Sequence, residues 1–282
     1  MRICWDNRDV ENGLITASSE AANFPVANLQ DPLRSIPWRS QNIDTPYLTI
    51  DKLTPRYCTV IALINHNLTY QGQIKIKSSN RADFSVLERD EVTFDAWEPM
   101  IGYGEGGYGM HGYGGLPLEA DRLFYTPNPI RIMYLDPVEA RYERITFVDP
   151  ANPDGYIELG IPFCGLYDGY PNPEFGFNHD ARDESEHNYT PGGVRWTDIV
   201  PARRLQEFPY EVFDDAYKYW QLVFWANKVG LGKSFIIDPL HNSAKASEPY
   251  FTRMYAHLDS YPLTTQRNLN ISETSIVVEE DL

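Results

Sequence analysis

The sequence predicts a mainly β protein, an antiparallel β-sandwich followed by a small α+β module with one long helix. Short β-branched or aromatic runs separated by Pro, Gly and Asn fill the chain up to about residue 170. Hydrophobic residues make up 42% and aromatic residues 13%, which is ample material for folded cores in a chain of 282 residues. After residue 193 the pattern changes to a helical stripe that ends in glycine.

The first runs are Tyr47–Asp51 (YLTID) and Cys58–Ile64 (CTVIALI); the second is apolar throughout and reads as a central strand. Gln73–Lys77 (QIKIK) alternates strictly, as does Tyr142–Phe147 (YERITF), so each is expected to show one face to water. Ile130–Tyr134 and Tyr156–Leu159 complete the sandwich, which spans residues 1–170. A Gly/Tyr-rich insert at about 98–120 interrupts it with the stretch GYGEGGYGMHGYGG. Residues 171–193 lack periodicity, hold the charged DARDESEH and read as a linker. In the module of 194–282, Glu211–Val229 forms a helix with Phe213, Ala216, Tyr217, Trp220, Val223, Phe224 and Asn227 on one stripe, closed by Gly230. Strands are expected at Ser234–Ile237, Phe251–Leu258 and Ser275–Glu279, with a turn at Asp238-Pro239.

A formal net charge of −16 and the absence of any basic run argue against a nucleic-acid surface. No window approaches the roughly eighteen apolar residues of a membrane span. The N-terminal MRICWDNRDVENG carries charges at once, so no secretory signal is expected. Cys4, Cys58 and Cys164 lie far apart without CxxC spacing, which suggests buried reduced thiols; a Cys4–Cys164 bridge stays open.

The motifs that would carry chemistry fail on their surroundings. Neither Lys nor Arg occurs between Arg89 and Arg122, so the glycine-rich stretch is no phosphate cradle. Gly230-Leu231-Gly232-Lys233-Ser234 ends in GKS, but Asn227 stands where a phosphate loop needs glycine. The six histidines show no metal spacing and no GxSxG elbow occurs, so neither catalytic residues nor resident cofactors are assigned. Tyr103, Tyr108 and Tyr113, spaced by five among glycines, would either present rings to a sugar or partner or pack on the sandwich beneath. Calcium held by loop Asp and carbonyl groups would accompany the sugar-binding alternative.

One stretch resembles a known family. Ala17-Ser18-Ser19-Glu20, Phe24-Pro25-Val26-Ala27-Asn28-Leu29, Asp31-Pro32 and Trp38-Arg39-Ser40 are similar to the opening of discoidin-like jelly-roll domains in tail proteins of long-tailed bacteriophages. Val60–Leu68 and Ala140–Ile145 (ARYERI) extend the likeness over about residues 14–167, with Trp38 as a core anchor. The C-terminal third is similar to the small α+β unit by which distal-tail or baseplate proteins join their neighbours.

The resemblance implies a non-enzymatic virion protein of the tail tip or baseplate, made in the host cytoplasm. Its implied partners are tail tube, hub and tape-measure proteins, and it would close into a homo-oligomeric ring of three or six copies. Because the helix stripe is so aromatic, Trp225, opposite Trp220, becomes the candidate subunit contact. The alternatives are a carbohydrate-binding module that recognises host surface glycan and, weakest, a glycan-cleaving enzyme.

Overall fold

The structure is a computed structural model that describes the chain except residues 32–34, 100–128, 174–177, 190–191, 201, 214–215, 244–251, 269–270 and 282. The described chain begins with β1 (Arg2–Cys4), α1 (Arg8–Glu11), β2 (Leu14–Ala17), β3 (Trp38–Arg39), β4 (Tyr47–His66), β5 (Gln73–Ser79) and β6 (Arg89–Asp95). It continues with β7 (Ile130–Val148), β8 (Glu158–Gly165), β9 (Asp168–Gly169), β10 (Asn178–Arg182), β11 (Glu186–Tyr189), β12 (Arg195–Asp198) and β13 (Arg203–Phe213). Helix α2 (Ala216–Val229) precedes β14 (Phe235–Asp238), β15 (Met254–Leu258), β16 (Leu263–Asn268) and β17 (Ile271–Glu280). The chain divides into two compact units, one of Asp6–Asp168 with Leu240–Arg253, the other of Met1–Trp5, Gly169–Pro239 and Met254–Leu282.

The unit of Asp6–Asp168 is an antiparallel sheet of order β3-β8-β4-β7-β5-β6, with β2 added on β4. Two expected pairs of strands are single long ones: β4 contains both YLTID and CTVIALI, and β7 contains both IRIMY and YERITF. Their ladder slips twice, between Asp51 and Arg56 and between Cys58 and Val60. Such bulges bend a strand and raise its twist, so the two ends of β4 and β7 serve different layers. The first half of β4 pairs β2 and the end of β7 beside β5, whereas Val60–His66 pairs β8 and the start of β7.

One core joins the layers, with Leu48, Ile50, Ile74, Ile76, Ile145 and Phe147 from one half and Ile61, Leu63, Met133 and Leu159 from the other. This is a two-layer sandwich. Trp38 is fully buried in it, and CTVIALI is the central strand that the sequence predicts.

The bulges leave carbonyls outside the ladder, and a buried ionic cluster takes them up. Lys52 Nζ donates to Arg56 O at 2.9 Å and to Glu143 Oε1 at 3.0 Å. Arg89 donates to Cys58 O at 3.0 Å, to Asp136 O at 2.7 Å and to Ser78 Oγ at 2.8 Å, while Ser78 Oγ donates to Glu143. Burial is the largest influence and alone would lower the Lys52 pKa, but Glu143 together with Cys164 and Cys58 turns the net direction upward. The three cysteines are free and buried, with Cys58 and Cys164 Sγ 3.6 Å apart; no Cys4–Cys164 bridge forms. The hydrogen bond with Cys58 and then burial push the Cys164 thiol up.

The second unit differs from the sequence-based boundaries. Its sheet runs β10-β13-β17-β15-β14-β1-β9, with β16 also on β17. Residues 2–4, expected in the sandwich, pair with Asp238–Ile236 instead. The predicted linker 171–193 carries β10 and β11. Strand β10 is exposed and is held by its ladder with β13 along Asn178–Arg182, with Arg182 also on Asp259 at 2.9 Å and on Glu279. Hydrophobic periodicity therefore has nothing to register there.

Residues 211–213, expected as the first helical turn, end β13, and Phe213 pairs with Ser272 beyond a register shift. Gly230 closes α2 as predicted, at φ +62° with its N–H on Ala226 O at 2.9 Å. Helix and sheet share a core of Tyr219, Leu222, Trp225 and Val229 with Phe208, Phe235, Ile237, Ile276 and Val278.

Candidate functional site

Alternation along the sandwich strands decides which side chains reach water. Because Leu48, Ile50, Ile74, Ile76, Ile145 and Phe147 point into the core, their neighbours point outward. The register then sets them in rows: Tyr47 opposes Thr146, which opposes Lys75, and one row further Thr49 opposes Arg144, which opposes Lys77. With the turn residues Asn42, Asp44 and Thr45 and the β6 residue Glu91, this face borders an open cleft of about 510 Å³.

Arg144 is the most constrained group in the cleft. Its guanidinium carbon lies 4.4 Å from the Tyr47 ring centroid and 4.0 Å from that of Phe84. Its Nε donates to Thr49 Oγ1 at 3.3 Å. Lys77 Nζ stands 5.7 Å from the Phe84 ring centroid. Lys75 is neutralised by Glu91 at 3.0 Å, whereas among the described residues neither Arg144 nor Lys77 has a carboxylate partner. Thr45, in the cleft lining, holds left-handed backbone at φ +47° without being glycine, as does Phe84 beside Arg144 at φ +55°; Leu53 and Asn65 do so away from it. Such conformations cost about 1–3 kcal/mol and tend to collect where a binding or catalytic surface needs them.

The cleft offers charged donors, amide and hydroxyl groups, and ring edges, which suits a polar ligand rich in hydroxyls. Nothing in it forms a nucleophile–base pair. The buried carboxylates of the sandwich unit are tied up elsewhere: Asp9 by Arg56 at 2.6 Å, Glu143 by Lys52, and Asp149 by the Thr69 N–H at 2.8 Å. No cluster of metal-binding side chains occurs among the described residues.

Tyr103, Tyr108 and Tyr113 lie outside the described residues. Glu98, where the insert begins, is held by Arg131 and by Arg253 at 2.7 Å; burial first, then Arg253, brings the Arg131 pKa down to about 10. Trp225 is placed differently from the expectation. It is fully buried, edge-on to Phe235 with ring centroids 5.0 Å apart, so it presents no surface to another subunit. The side chains left outside are Tyr217, Trp220 and Phe224, three members of the stripe expected to pack. Sequence reasoning missed the cleft, although the alternation of QIKIK and YERITF already placed Lys77 and Arg144 on outward faces.

No family model matches the chain, and no curated relative matches it. Several solved structures are similar. A family 32 carbohydrate-binding module from C. perfringens, solved in complex with galactose, is 14% identical over 60% of this chain and 100% of its own, with a TM-score of 0.38. A chitosan-binding module from Paenibacillus sp. IK-5 is 16% identical over 56% of this chain and 98% of its own, with a TM-score of 0.37. The lectin-binding domain of lectinolysin, complexed with Lewis b, is 11% identical over 57% of this chain and 96% of its own, with a TM-score of 0.38. Neither the fold nor these likenesses indicate the kinship with phage tail proteins that the sequence suggested.

Proposed function

We propose that the protein acts by recognition without turnover, and that the β-sandwich unit binds carbohydrate in the cleft between Asn42–Tyr47 and the outward face of β5 and β7. The observation that carries this is the row Thr49–Arg144–Lys77, with the guanidinium braced between Tyr47 and Phe84 beside the amide of Asn42 and the carboxylate of Asp44. A braced arginine loses little freedom when it binds, and amide and carboxylate side chains match sugar hydroxyls as donor and acceptor. The neighbours solved with sugars share this type of ligand; the proposal rests on the cleft itself.

The test is retention of the protein on a panel of immobilised oligosaccharides. Removing Asn42 and Asp44 side chains together (Asn42→Ala, Asp44→Ala) touches exposed residues, and binding is expected to fall about tenfold or more while the fold persists. Shortening Gly104–Gly114 is expected to leave binding in place. Loss of binding on shortening alone, with the double variant unaffected, moves the site from the cleft to the insert. Cleavage of any sugar that disappears when one carboxylate is changed would sink the non-enzymatic reading.

A second reading, assembly into a phage tail tip or baseplate ring, is favoured by one observation. Trp220 is 62% exposed and Phe224 57% exposed on the outer side of α2, and large apolar side chains grouped on a surface mark contact sites. The two readings can coexist in one protein. A strict monomer in light scattering at high concentration, with or without tail proteins, removes the second.

A further inference from the structure

We infer that the sugar this cleft accepts carries a carboxylate, and that Arg144 and Lys77 together hold it. The inference rests on the carbohydrate reading above and specifies the charge of the ligand. Arg144 and Lys77 oppose each other directly across the β5–β7 ladder and share its outward face. Like charges in that relation destabilise a sheet pair. Lys75, one row away, has Glu91 to neutralise it, but no carboxylate reaches either member of the Arg144–Lys77 pair among the described residues. In a chain with 40 Asp and Glu against 24 Lys and Arg, two directly opposed cations without an ion-pair partner are a local exception, even though Asp44 and Glu91 also line the cleft.

The geometry selects the kind of anion. Arg144 spends Nε on Thr49, and the flanking rings fix the plane of its guanidinium, which leaves the terminal amino groups to meet a planar carboxylate. Lys77 adds a second charge from the neighbouring strand. Phe84, at φ +55°, sets its ring against the guanidinium on one side and edge-on to Tyr142 on the other. Asp44 lies at the exposed rim and would repel a second acidic group, so the ligand is expected to bear isolated carboxylates among neutral hydroxyls.

The experiment is a titration calorimetry series on the full chain. Uronate-containing oligosaccharides are each compared with their carboxyl-reduced counterparts, and sodium acetate is included as a bare carboxylate. At least one uronate oligosaccharide is expected to bind about tenfold to a hundredfold more tightly than its reduced form. Lys77→Gln and Arg144→Gln are each expected to erase most of that difference. Lys77 is the cleaner of the two because its change disturbs no packed guanidinium.

Equal binding of acidic and reduced sugars, with loss on Asn42→Ala/Asp44→Ala, overturns this inference and leaves the carbohydrate reading standing. Binding to no oligosaccharide by the folded protein overturns both. Acetate competing as well as the oligosaccharide also overturns it, since the cleft would then be a simple anion site.

Discussion

Glu143 and Arg144 are consecutive residues with opposite roles. Glu143 is fully buried and accepts from Lys52 and Ser78, while Arg144 looks outward between two aromatic rings. The alternation of YERITF already assigns them to opposite faces. It could not supply the partner of Glu143, because Lys52 lies 91 residues away and meets it only where β4 bends. The Lys52 side chain also stands in for hydrogen bonds that the bulge removes from the ladder. Breaking a buried pair strands a charge, so Lys52→Met is expected to cost about 3–5 kcal/mol. Urea denaturation monitored by tryptophan fluorescence measures this, and a loss under about 1 kcal/mol would mean that Arg89 alone compensates Glu143. The cleft was less legible at this scale. Nothing local ties Tyr47 or Phe84 to Arg144, which they reach only through strand register and a left-handed turn residue.

At the scale of elements, periodicity found β4, β5, β7, β14, β15, β17 and the C-terminal helix, but it named no strand at β6, β13 or β16 and chose the wrong face of α2. The reason is that aromatic side chains occupy both sides, with Tyr217, Trp220 and Phe224 on one and Tyr219 and Trp225 on the other. What decides is fit against the sheet. Leu222 and Ala226 are compact enough to let the helix approach, and Trp225 fills the remaining space against Phe235. Trp225→Ala is therefore expected to destabilise by about 3–5 kcal/mol, and Trp220→Ala by no more than about 0.5 kcal/mol. Equal costs in parallel denaturant melts would contradict this assignment of faces. The same limit explains β10, an edge strand held by its backbone ladder with β13 and by the ion pairs of Arg182, which presents no apolar rhythm to read. The joining of YLTID to CTVIALI in one strand was likewise hidden, because the polar Lys52–Arg56 segment between them reads as a turn until its register shift is seen.

For the whole molecule, the sequence conveyed the class, mainly β with a helix-bearing second unit, from composition and the order of its runs. The boundaries failed where the chain returns on itself. The N-terminal strand belongs to a sheet whose other strands begin more than a hundred and sixty residues later, and no local signal announces that pairing. The functional reading combines these scales: bulged strands fold over a single core, the register brings Arg144 beside Lys77 on the outer face, and the acidic remainder of the chain leaves that pair as a local exception. The most direct test is to map a bound uronate oligosaccharide by amide chemical-shift changes in the labelled full chain. The account predicts that the largest changes cluster at Thr45–Tyr47, Lys75–Lys77 and Arg144–Thr146. Saturable binding whose changes fall elsewhere and spare those three segments would contradict it.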